Sequence, residues 1–214
     1  MDLPASHRHG PAIALPGWTL MALALLLLCG CGEEREVIFS TESAPGQDED
    51  RKAVQADIAT LSKGKDLTDP DNMVAYHRAV DALIGRGARI ETSLTDALTG
   101  SDDWGIRLGA VEVLKAVATR RSIEPLLGAL EDPQPLVALN ADHLLRGLTK
   151  HRVIPDAGQP AVGGLPPVPA RDPKDLRLDA EEKVWAAWHR EHHAALHRAW
   201  RTWWEANRAT VVIE

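Results

Sequence analysis

The chain has two cysteines, one phenylalanine and one tyrosine in 214 residues. Two cysteines, Cys29 and Cys31, cannot build a disulfide framework, and a cysteine-based metal site needs three or four ligands that converge. Strand formers are sparse while Ala and Leu dominate, so the composition reads all-α. The formal charge is −7, and no cluster of Lys and Arg is present. This excludes nucleic acid as a partner, since phosphate binding needs clustered cations, and offers no polybasic patch to anionic headgroups. Also missing are a nucleophile elbow, a P-loop, a Gly-rich dinucleotide loop and any singled-out carboxylate pair. The reading is therefore of a protein without catalysis. No apolar run reaches the ~20 residues that cross a bilayer.

The longest apolar run is Trp18 to Leu28, WTLMALALLLL, which has the length of a secretory h-region. Leu28, Cys29, Gly30 and Cys31 follow its end, and the chain then turns acidic at Glu33, Glu34 and Glu36. An aliphatic residue at −3, a small one at −1 and then cysteine resemble the lipoprotein signal of bacteria. The resemblance implies cleavage before Cys31, a covalent lipid on Cys31, and attachment to a membrane of the cell envelope. One acyl chain holds only marginally, so stable anchoring implies more than one. Residues 1–30 are then a signal peptide, and 31–50, polar and acidic with Pro45 and Gly46, a flexible tether.

Residues 51–150 carry an internal repeat. The segments beginning at Asp71, Asp102 and Pro133 align at an offset of 31 residues, placing Ala79, Ala110 and Ala141 in register, and likewise Leu83, Leu114 and Leu145. Between them, stretches from Arg89 and Arg121 also match, with Glu91 and Glu124 recurring. Each unit reads as two helices and two turns, with Asp69, Ser101 and Asp132 near helix starts and Gly85, Gly87 and Gly100 near helix ends. Such self-similarity marks a helical solenoid, in which a unit buries its apolar face only against the next.

Asp102, Ile106, Arg107, Ala110 and Leu114 make these units resemble HEAT repeats of the short type first associated with bilin lyases. The resemblance covers Asp69 to Lys150 and implies a scaffold, not lyase activity. The neighbouring units lack the arginine, so a polar Asp–Arg ladder between repeats is expected to be absent.

Residues 151–178 follow as a Pro/Gly-rich connector, either an ordered strap or a mobile loop. Residues 179–214 then begin with thirty positions without Gly or Pro, predicting one long helix with Asp179 and Glu182 as its capping pair. Its end, LHRAWRTWWEAN, resembles the Trp-rich tail that follows HEAT-like repeats in some exported bacterial proteins, and the resemblance implies that it closes the solenoid. Trp185, Trp188, Trp200, Trp203 and Trp204 are a large apolar load for one cap, so some are also candidates for contact with a protein partner. His189, His193 and His197 recur every four residues, and a pair at that spacing can share a transition metal. HREHH is not the HExxH metalloprotease pattern.

The combined expectation is an all-α protein: a short α-solenoid of HEAT-like helix pairs closed by a long Trp-rich C-terminal helix. It would be lipid-anchored in the cell envelope and would bind an unidentified protein as a scaffold. A metal- or haem-handling module built on the histidine row is the alternative.

Overall fold

The computed structural model describes residues 47–175, 177 and 179–213. The expected signal peptide, Cys31 and most of the tether lie outside them. Among the described residues the chain is mostly helical and contains no strand, only an isolated bridge between Val162 and Leu165. The helices are α1 (Gln47–Thr60), α2 (Pro70–Ile84), α3 (Glu91–Gly100), α4 (Trp104–Val117), α5 (Ile123–Ala129), α6 (Pro135–Thr149) and α7 (Ala180–Asn207). Short 3₁₀ turns at Leu61–Lys65, Gly87–Ile90 and Arg120–Ser122 precede or join them.

α2 packs on α4 and α4 on α6, while α3 packs on α4 and α5, and α5 on α6. The residues in register explain this order. Ala79, Ala110 and Ala141 are buried, and Leu83, Leu114 and Leu145 have no exposed surface at all. Short alanines let the axes approach, and each buried leucine contributes roughly 2 kcal/mol. α1 begins at Gln47 and so takes the last four residues of the expected tether, with Asp48, Glu49 and Asp50 in its first turn, where the helix dipole favours anions. Arg86, at the end of α2, bonds the Asp57 carboxylate at 2.8 Å and the Ala82 carbonyl at 2.9 Å, fastening α1 to α2.

Two helix starts, those of α4 and α6, lie one or two residues from where the turns suggested. Asp69 caps α2 as expected, accepting from the N–H groups of Asp71 and Asn72. α4 is capped by Asp103, not by Ser101, and α6 starts at Pro135, after Asp132 has accepted the Gln134 N–H. Asp179 stands before α7 without capping it, because its carboxylate bonds Lys183 at 2.6 Å instead.

A polar rung between units is present, contrary to expectation. Arg107 reaches across to Asp132 with Nε at 2.7 Å and Nη2 at 2.9 Å, and its Nη1 donates to the Ser101 and Asp102 carbonyls. Lys65 makes the preceding link, 2.7 Å from Asp103. Loss of arginine from the neighbouring units hid this pattern, since a lysine from a 3₁₀ turn takes one place.

The connector is a strap, not a loop without contacts. Lys150 ends α6 in the left-handed region (φ 55°) and turns the chain back. Val153, Ile154 and Leu165 are buried, and Gly163 and Gly164, both with positive φ, close a two-residue turn between Val162 and Leu165. That pair of left-handed residues is the geometry for which glycine is selected.

Gly105 marks the close approach of the Leu61–Lys65 turn to α4, and Gly147 on α6 gives the contrast. A Cβ on Gly105 would lie 2.9 Å from the Ser62 carbonyl oxygen and 2.6 Å from Lys65 Cγ, whereas one on Gly147 would meet nothing within 4 Å. Glycine to alanine inside a helix is worth up to ~1 kcal/mol in propensity. Gly147→Ala should therefore raise the free energy of unfolding by up to ~1 kcal/mol. Gly105→Ala should lower it by about 1–2 kcal/mol because overpacking prevails. Urea denaturation of both variants reads the opposite signs.

Candidate functional site

α7 lies against α5 and α6. Its inner face is the stripe Trp185, Trp188, His189, Leu196, Trp200 and Trp204, all buried. The indole N–H groups would be costly to bury without acceptors, and three find one. Trp185 donates to the Pro135 carbonyl at 2.9 Å, Trp200 to Asp142 Oδ1 at 2.8 Å, and Trp204 to Glu124 Oε1 at 2.9 Å. Trp188 Nε1 is buried without a partner among the described residues. Of the five tryptophans considered for partner contact, four are thus consumed inside the chain, because their rings fill the space beside α5 and α6. Only Trp203 is partly exposed, stacked on His151 with ring centroids 4.2 Å apart and planes 3° from parallel.

The recurring glutamates do the same work one unit apart. Glu91 accepts from Ser122 Oγ at 2.6 Å and from Thr119 N and Oγ1 at 2.8 and 3.0 Å, tying α3 to the start of α5. Burial pushes the Glu91 carboxyl up, but these hydrogen bonds outweigh it and hold it below its ordinary value. Glu124, its counterpart in α5, receives Trp204 and Arg201 of α7. α7 therefore meets α5 through the carboxylate position by which α3 meets the next unit.

Asp142, fully buried on α6, was not singled out by the sequence. The only signal was its spacing of four from Arg146, an ion pair along one helix face. Arg146 sits against the Oδ2 oxygen as a charge partner, without an aligned hydrogen bond, and Trp200 supplies the bond to Oδ1. Burial pushes the Asp142 carboxyl up; Arg146 and the Trp200 N–H work against it.

The histidine row is divided among different surroundings. His189 is buried and its Nε2 lies 2.8 Å from the Leu130 carbonyl; a carbonyl only accepts, so Nε2 carries the proton and Nδ1 alone is left as a lone-pair donor. His193 is half-buried, its ring centroid 5.6 Å from that of His189. His197 turns to Glu131, with Nδ1 3.3 Å from Oε1. Among the described residues no group of three or more His, Cys, Asp or Glu is placed to hold a metal ion.

No family model matches this chain, and no curated protein or solved structure does either. Among the described residues no helix is long and apolar enough to cross a membrane.

Two measurements test the α7 interface. Trp200→Phe keeps an aromatic ring, though a smaller one, but leaves Asp142 Oδ1 without its donor, and should cost about 1–3 kcal/mol of stability. Burial holds the imidazoles of His189 and His151 below their ordinary value. A base whose pKa is depressed by folding contributes nothing adverse above its unfolded value of about 6.5, where both states are neutral. Below that, the unfolded state binds the proton more readily, so stability falls with pH. Urea midpoints should therefore drop between pH 7.5 and 5.5, and drop less in His189→Gln.

Proposed function

We infer that this is a lipid-anchored envelope protein whose HEAT-like α-solenoid serves as a protein-interaction scaffold, without catalysis. The anchor rests on Leu28-Cys29-Gly30-Cys31 after an 11-residue apolar run. The observation that carries the scaffold is the 31-residue recurrence whose in-register alanines and leucines are all buried, in helices that pack in sequence order. A stack of this kind has two ends. α7 covers the last unit with its tryptophan stripe, which supports its reading as the closing element.

The exposed apolar side chains near the other end are Leu67, Met73 and Val74, at 41%, 41% and 52% exposure. They lie on α2 and the turn before it, and they supply the apolar centre that a protein interface needs. The partner, a protein of the envelope, would seat on this face.

Two experiments test the reading. Mass spectrometry of the membrane fraction should find acyl chains on Cys31, and Cys31→Ser should shift the protein to the soluble fraction; an unmodified Cys31 sinks the anchor. Pull-down from detergent-solubilised envelope should recover a protein partner that Val74→Arg releases with unchanged helicity. Recovery of the same partner by Val74→Arg would reject the α2 face.

A further inference from the structure

The strap and the outer face of α7 enclose a groove of about 650 Å³ that neither the anchor nor the scaffold reading uses. Its floor is Ala195 and Ala199, one helical turn apart, whose short side chains leave a channel along α7. One wall is the Trp203 ring, braced by the flat stack on His151. The other is the strap, with Val153 at its base and Val162, 58% exposed, at its lip. Strap and helix are each tied to the core, the first through buried Ile154 and Leu165 and the second through its tryptophans, and the His151–Trp203 stack joins them at one end of the channel.

The charges around it have one sign. Arg152 and Arg198 line the groove and no carboxylate does. Arg152 is paired with Asp156 at 2.7 Å, whereas Arg198 is exposed and has no ion pair among the described residues. From the N-terminal to the C-terminal alanine of the lining, Ala195 to Ala206, the helix rises roughly 16 Å. The volume falls within the ~300–1,000 Å³ of small-molecule sites, which are mainly apolar with a few polar groups that fix orientation.

We propose that this groove binds a single-chain anionic amphiphile, its apolar chain along Ala195 and Ala199 beside Trp203 and its acidic head on Arg198. A peptide fits less well, because each of its residues brings an N–H and a C=O that need partners. Along the channel Arg152 is held by Asp156 and the Asn207 amide already donates to the Trp203 carbonyl, which leaves Arg198 and Thr202 as the polar side chains on α7. An acyl chain has no such requirement, and its head needs one cation.

The test is calorimetric titration of the purified full chain with dodecanoate below its micelle concentration, beside dodecanol. Saturable one-site binding of dodecanoate, weaker for dodecanol, is expected. Ala199→Trp should fill the channel and abolish it. Arg198→Gln, at an exposed position that leaves folding unchanged, should weaken it about tenfold, as loss of a charge-assisted hydrogen bond implies. Absence of saturation, or equal affinity in both variants, overturns the proposal. So does dimerisation that Ala199→Trp abolishes, which would assign the groove to a second copy, or tight binding of an acidic amphipathic peptide where dodecanoate fails. Since the groove shares no lining residue with the α2 face, and the anchor is tested separately by mass spectrometry of Cys31, a negative result here leaves those readings standing.

Discussion

A helix pair made largely of alanine and leucine has an apolar flank that only another helix can cover. α5 and α6 have no further unit after them, and the burial of their flank depends on α7. Covering it with tryptophan raises a second problem, since every indole brings an N–H into a dry place. Three acceptors answer it, at Pro135, Asp142 and Glu124, and they come from three different features: a backbone carbonyl at a helix start, a buried side chain, and a recurring carboxylate. The stripe is thus fixed in register along the helix as well as held by area. Sliding α7 by one turn would leave all three donors without partners and Asp142 Oδ1 without its hydrogen bond.

Polar ties recur between successive units alongside the apolar core. Lys65 to Asp103 and Arg107 to Asp132 link helix starts on one side, and Glu91 to Ser122 and Glu124 to Trp204 link the other. The exposed Lys65–Asp103 pair is worth little in net energy, whereas Arg107–Asp132 and Glu91–Ser122 are largely buried, so that losing one partner costs more. Their effect is on geometry. Each bond is satisfied only at one offset between units, so they select one packing among the several that alanine and leucine alone would accept.

Much of this was legible in the chain because it depends on spacing. The all-helical content, the 31-residue recurrence and the long final helix follow from where Ala79, Ala110, Ala141 and the Gly- and Pro-poor stretch fall. What resisted reading depends on partners distant in sequence. The loss of arginine from the units on either side points to no ladder, yet Arg107 finds Asp132 twenty-five residues on, and a lysine in a 3₁₀ turn serves at the other step. Glu91 and Glu124 were visible as a repeat, but that the latter meets a tryptophan eighty residues later was not. The tryptophans themselves were ambiguous: sequence gives their number and face, and only packing divides four buried rings from Trp203. The strap was open between two readings because prolines exclude a helix without saying what the segment touches.

The strap also bears on how the chain could be divided. Residues 156–164 are all exposed, between Ile154 and Leu165, which are anchored. Exposed tips with small and polar residues are where proteases nick and where inserted domains are tolerated. Cleavage there would separate α7 from the helices it covers in covalent terms alone, since its tryptophans and Arg201 would still grip α5 and α6. The molecule is in this sense already a two-piece assembly joined by an exposed bridge, and the C-terminal piece could be supplied in trans.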